Sequence, residues 1–225
     1  MTDFFDDRYM LYELIKGELD GAEYVGIKEI INDLCESKYT NFLHEAIIRG
    51  KDITLETIDF CQFSSLDNAT VNVSKYLSLA GNEGYNWVKI ATFLLKDEEH
   101  EDNYEALRKY GENHLKTAEA LGLIKRNKKN ECWLTKIGYV FSNLDPNRQK
   151  KLLSRLVLRL RFIQKMLSEA VYRNVDLYDE MAILKESTRV RRSSNAKTLM
   201  NIVSNNDEVN LDYILSCITY KGGKL

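Results

Sequence analysis

Apolar positions recur every three or four residues over most of the chain, the spacing that lines side chains along one face of a helix. Phe4, Phe5, Tyr9, Leu11, Tyr12 and Ile15 follow it up to Gly17, and residues 25–48 carry apolar pairs at the same interval. Two helices are expected there, forming a helical cap or a dimerisation segment. Residues 53–80 read as helix, turn and helix. Thr54 caps the first, residues 63–65 make the turn, and Ala69, Val73, Tyr76, Leu77 and Leu79 line the second, a candidate helix-turn-helix with little positive charge. Residues 85–95 form a strongly apolar helix, and an acidic connector follows over 96–102.

The pattern changes between 103 and 141. Ala106, Tyr110, His114, Thr117, Ala118 and Leu121 are spaced to face a core, while Arg108, Lys109, Glu112, Asn113 and Lys116 fall on other faces. One face of this helix can pack while another reads a ligand. Gly122 is placed to end it, since glycine accepts a left-handed conformation at low cost. Residues 123–126 and 131–134 then read as strands around a polar turn at 127–130, and Lys125, Arg126, Lys128 and Lys129 crowd this small hairpin. Thr135 and Gly138 start a short helix. Asp145 caps the next helix and Pro146 opens it. Leu152, Leu153, Leu156, Leu160, Ile163 and Leu167 make one long apolar stripe on that helix, which can pack on the preceding helix-and-hairpin unit, pair with a second subunit, or both. The tail over 205–225 holds an apolar helix at 211–218 and no recognisable chemistry.

Charge sharpens this picture only when it is counted locally. The chain of 225 residues has a formal net charge of −2, which points to no polyanionic partner. Residues 1–105 carry 9 Lys and Arg against 22 Asp and Glu, whereas 106–165 carry 15 against 4, a local charge of +11. A dense basic stretch in a near-neutral protein is the footprint of phosphate contacts, and it coincides here with the helix and hairpin. Four cysteines lie far apart with no CxxC pair, so neither a structural zinc nor a disulfide framework is expected. No apolar run approaches the roughly 20 residues of a membrane span, and the acidic start is unlike a signal peptide, so a cytoplasmic location is expected. Asp20 with Glu36-Ser37-Lys38 matches a loose magnesium-nuclease spacing, but the nuclease pattern needs Glu-x-Lys on a buried strand and here it continues a helix. No catalytic residue, metal or cofactor is assigned.

At 109–114 (KYGENH), 121–123 (LGL), 134–138 (LTKIG) and the helix after Pro146, the chain resembles a winged-helix domain found in bacterial type II restriction endonucleases and related prokaryotic DNA-binding proteins. Residues 187–199 resemble the arginine-rich stretch that follows that domain, so the resemblance covers about 85–203. It implies that the 107–121 helix enters the major groove of double-stranded DNA. Asn113 and His114 would then meet base edges, with Glu112 on the same helix. Arg108, Lys109 and Lys116 would meet phosphates, and Lys125, Arg126, Lys128 and Lys129 a neighbouring backbone. Arg189, Arg191 and Arg192 form a second phosphate-contacting cluster. His114 also fits a packing role, being on the apolar side of the helix. In the fuller enzymes a separate nuclease domain supplies catalytic carboxylates, and no convincing set of them is read from this sequence, which puts cleavage in doubt without touching DNA binding.

The expected architecture is mainly α: a winged helix-turn-helix at 83–203, a helical region at 1–82 and a helical tail at 204–225. The expected function is sequence-specific binding of double-stranded DNA, as a transcription regulator or as the recognition component of a restriction or phage-defence system. A small endonuclease with a magnesium site of unrecognised form is the alternative, and a homodimer is compatible with either.

Overall fold

Eleven glycines and one proline leave little to interrupt helices in 225 residues. The computed structural model describes residues 35, 38–79, 85–95, 103–204 and 212–225, and it is mainly helical with two small sheets. In chain order the elements are α1 (Tyr39–Gly50), α2 (Val73–Leu79, preceded by a π turn at Asn68–Asn72), α3 (Trp87–Leu95), α4 (Tyr104–Ala120), β1 (Ile124–Arg126) and β2 (Cys132–Leu134). They continue with α5 (Lys136–Asn143), α6 (Pro146–Val157), α7 (Arg161–Ala170), β3 (Val175–Asp176), α8 (Glu186–Ser204), α9 (Asp212–Ser216), β4 (Ile218–Tyr220) and β5 (Gly223–Lys224). The candidate helix at 4–15, residues 25–34 of the one expected at 25–48, the connector at 96–102 and residues 205–211 lie outside the described residues. Among the described residues, no helix is long and apolar enough to cross a membrane.

The chain divides into two compact units, one containing Phe63–Leu152 and the other Lys38–Gln62 with Leu153–Leu225. These limits cut across the expected boundaries at 82 and 203. In the first unit, α2, α3 and α4 pack around Val73, Leu77, Ile90, Ala91, Leu115, Ala118 and Leu121, all nearly or fully buried. β1 and β2 pair antiparallel in register Ile124 to Leu134 and Arg126 to Cys132, and Tyr85 adds a bridge to Cys132 on the other edge. Helix, a single-residue bridge at Tyr85, two helices and a hairpin follow one another, the order of a winged helix-turn-helix, with further helices after it.

A close backbone approach in this unit explains a glycine. A Cβ on Gly111 would lie 2.0 Å from the carbonyl oxygen of Trp87, so α3 and α4 cross at a distance that only a bare backbone allows. That crossing sets the rotation of α4. Leu107, Gly111, His114, Leu115, Thr117 and Ala118 are buried, whereas Ala106, expected inside, is exposed and Tyr110 is half-buried.

In the second unit α1 lies against α7, Phe60 and Phe162 set their ring centroids 5.0 Å apart, and β3, β4 and β5 form one sheet with β4 in the middle. Among the described residues Arg155 is the largest fully buried side chain, its guanidinium lying 5.7 Å from the Tyr39 ring centroid and 5.6 Å from that of Phe42. Two expectations fail here for physical reasons. Residues 53–62 form no helix beyond a single tight turn at Thr57–Asp59, where Glu56 and Asp59 cap each other's backbone. Arginine donors occupy the carbonyls a helix would use: Arg161 reaches the Thr54 oxygen at 2.9 Å and Arg192 the Thr57 oxygen at 2.7 Å. The helix-turn-helix expected at 53–80 is therefore reduced to its second helix. Likewise the stripe from Leu152 to Leu167 spans two helices, because the chain breaks at 158–160, where the buried Gln164 amide donates to the Leu158 carbonyl at 3.0 Å. No glycine or proline marks that break.

Candidate nucleic-acid interface

α4 is built to stop cleanly at both ends. Asn103 caps its start by accepting from the Ala106 amide at 3.0 Å. At its end Gly122 adopts φ 76°, with Gly122 N–H donating to the Glu119 carbonyl and Leu123 N–H to that of Ala118, each at 2.9 Å. These two bonds make a Schellman ending and turn the chain directly into β1. Asn127 then organises the hairpin tip, its side-chain oxygen accepting from the Lys129 amide at 2.8 Å and the Glu131 amide at 3.0 Å, while Asn130 takes a left-handed φ of 61°. The result is a short, internally bonded tip that leaves the Lys128 and Lys129 side chains exposed, with no ion pair among the described residues.

The hairpin is tied to the helix beside it. Arg126 pairs with Glu119 at 3.1 Å, donates to the Asn130 side chain at 2.9 Å and lies over the Trp87 ring at 5.6 Å. Lys116 approaches the same indole at 5.9 Å. Burial pushes the Cys132 thiol up to about 12, so this cysteine is an inert packing group on β2.

The solvent-facing side of α4 bears Arg108, Lys109 and Lys116 together with Glu105, Glu112 and Glu119. Two of these cations meet two of the carboxylates. Arg108 reaches Glu105 at 3.1 Å and Glu112 at 3.3 Å, and Glu112 also receives Lys116 at 2.5 Å. Lys109 is exposed and has no ion pair among the described residues, and Asn113 is half-buried at the edge of the same face. Lys125 is exposed on β1. Lys89 on α3, exposed and 5.2 Å from the Tyr85 ring, is a further cation of this unit that periodicity alone gave no reason to single out.

No family model, curated protein or solved structure matches this chain.

His114 is a correction to the expected set. It is 1% exposed, with Nδ1 at 2.8 Å from the Tyr110 carbonyl and Nε2 at 3.3 Å from the Ser64 amide and 3.2 Å from its hydroxyl. An amide only donates, so Nε2 accepts and the proton sits on Nδ1. Burial lowers the imidazole pKa against the raising effect of the Tyr110 carbonyl, keeping the ring neutral. The histidine ties the 63–65 segment to α4 and has no free edge for a base. Tyr110 completes the tie, its hydroxyl accepting from Asn68 at 3.0 Å and from Ser64 at 3.1 Å. Nothing in the sequence pairs Ser64 with a histidine fifty positions away.

The arginine cluster is a second correction. Arg189, Arg191 and Arg192 stand in the first turns of α8, in the second unit. Arg189 donates to the Tyr178 carbonyl at 2.7 Å, pairs with Asp179 at 3.0 Å and stacks 3.9 Å from the Tyr178 ring. Arg192 donates to the Thr57 carbonyl at 2.7 Å and to Gln62 at 3.4 Å, and burial lowers its pKa. These two guanidiniums staple their own unit together. Arg191 is exposed and donates to the Ser187 carbonyl at 3.2 Å. Among the described residues no group of three or more His, Cys, Asp or Glu is arranged to hold a metal ion, and Asp20 and Glu36 of the nuclease-like spacing lie outside them.

Proposed function

We propose that the unit containing Phe63–Leu152 binds double-stranded DNA sequence-specifically, with α4 in the major groove and the β1–β2 tip over the adjacent backbone, and that the protein works in the cytoplasm as a regulator or as the recognition component of a restriction or defence system. The observation that supports this is the juxtaposition of a polar helix face with a rigid tip that points Lys128 and Lys129 outward. A major groove about 12 Å wide admits one α-helix, and the charges on a neighbouring wing then meet phosphates. On the helix, Asn113 is the residue of the expected set best suited to a base edge, since an amide pairs two-pronged with adenine. Lys109, Lys125, Lys128 and Lys129 supply backbone contacts, joined by Lys116 and Arg108 once these leave their carboxylates.

The test is selection of bound duplexes from a randomised library with magnesium present, followed by sequencing of both retained and cut DNA. Enrichment of a short motif on uncut DNA is the expected result, and a palindromic motif would report two copies bound. About six phosphate contacts would lower affinity roughly a thousandfold between about 50 and 200 mM salt. Asn113→Ala should relax sequence preference more than total affinity, and Lys128→Ala the reverse. A flat salt response together with no enriched motif would overturn the reading, and cut DNA that a chelator abolishes would replace a binding protein with an endonuclease.

A further inference from the structure

The solvent face of α4 is electrically neutral although it lies in the most basic stretch of the chain. Glu112 sits between Arg108 and Lys116 and accepts from both, and Glu105 holds Arg108 from its other side. Acidic and basic residues one turn apart attract one another, and their fields cancel beyond a few ångströms. A helix meant only to grip phosphates has no use for these carboxylates, because each repels a phosphate that comes within a Debye length. From this arrangement we infer that Glu105 and Glu112 form a charge gate. They withhold Arg108 and Lys116 from the phosphates of non-cognate DNA, so that weak contact rests on the hairpin tip and α4 engages only where base contacts hold it in the groove. The gate rests on the DNA-binding reading above, while its electrostatic core, the masking of α4 from polyanions, does not.

Glu105 is exposed and Glu112 half-buried, and glutamine keeps the size and shape of each while removing its charge, so the exchange preserves the helix. The full-length Glu105→Gln/Glu112→Gln variant is compared with wild type on a heparin column and on a random-sequence duplex near 0.1 M salt. Asp52→Asn, an exposed carboxylate in the other unit, controls for net charge. The double variant should elute from heparin at clearly higher salt, bind random duplex about tenfold more tightly and gain roughly two units in salt slope. Its preference for the selected motif over random DNA should fall by a similar factor. Unchanged heparin elution, or a shift per charge no larger than that of Asp52→Asn, would overturn the gate. So would tighter binding to random and selected DNA by equal factors. A heparin shift as expected with no binding to any duplex would leave the masking in place and sink the DNA reading instead.

Discussion

Two stretches of this chain are dense in basic residues, the α4–hairpin segment at 108–129 and the start of α8 at 189–192, and they meet opposite fates. At the hairpin tip Lys128 and Lys129 face solvent on a turn whose bonds are made by Asn127 and the backbone. At α8, Arg189 and Arg192 turn inward and donate to carbonyls of their own unit. The difference follows from the chemistry of the two side chains. A guanidinium presents a planar fork of donors that can satisfy a carbonyl, an amide oxygen and a ring face at once, whereas an ammonium is strongly hydrated and stays in water. Basic residues in a sequence are thus two populations, one free to meet a partner and one spent on the fold.

The largest effect expected on this comparison comes from beneath the first stretch. Gly111→Ala should cost about 3 kcal/mol or more, because its Cβ would collide with the Trp87 backbone and push α4 off α3. Thermal unfolding measures this, and a cost under about 1 kcal/mol would show that the crossing is looser than described. Next comes Arg192→Ala, expected to destabilise by about 1 kcal/mol through loss of its hydrogen bonds to the Thr57 carbonyl and Gln62, since water can solvate the exposed Thr57 carbonyl, with random-DNA affinity unchanged. Retained stability with weakened DNA binding would return Arg192 to the phosphate-contacting population.

A smaller effect is set by pH. His114 has its folded pKa lowered by burial, so the unfolded chain binds its proton more readily than the folded one. The stability it contributes is fully present above the ordinary imidazole value of 6.5 and is lost as pH falls through the lower folded value. A His114→Gln variant should show less loss of melting temperature below that pH than wild type, and parallel curves would exclude the neutral tie to Ser64. Smallest of all, Lys128→Ala/Lys129→Ala should leave the melting temperature unchanged while flattening the salt dependence of DNA binding by about two units. A clear loss of stability would place these lysines with the arginines of α8.

Local chemistry made much of the first unit legible. Gly122, Asn127, Thr135 and the Asp145-Pro146 pair act within a few residues of themselves, and the structure uses each as a stop, turn or cap: Thr135 accepts from the Gly138 amide and Asp145 from those of Asn147 and Arg148. The hairpin limits followed from the polar turn between two short apolar runs. Periodicity failed where a contact that the spacing does not encode decides. The rotation of α4 depends on a backbone crossing at Trp87, the break at 158–160 on a glutamine amide, and the unwound 53–62 segment on arginines more than a hundred positions away.

The candidate site divides along the same line. By itself the sequence determined that a polar helix, a tight glycine stop and a basic hairpin follow one another, since capping, turn formation and hydrophobic spacing act over a turn or two of chain. Only the tertiary structure decided which charges remain available. The local +11 of residues 106–165 includes Arg155, Arg159, Arg161 and Lys165, which belong to the other unit, and on α4 the cations are balanced by carboxylates on the same face. Charge along a chain is a sum over neighbours in sequence, and a partner meets a sum over neighbours in space.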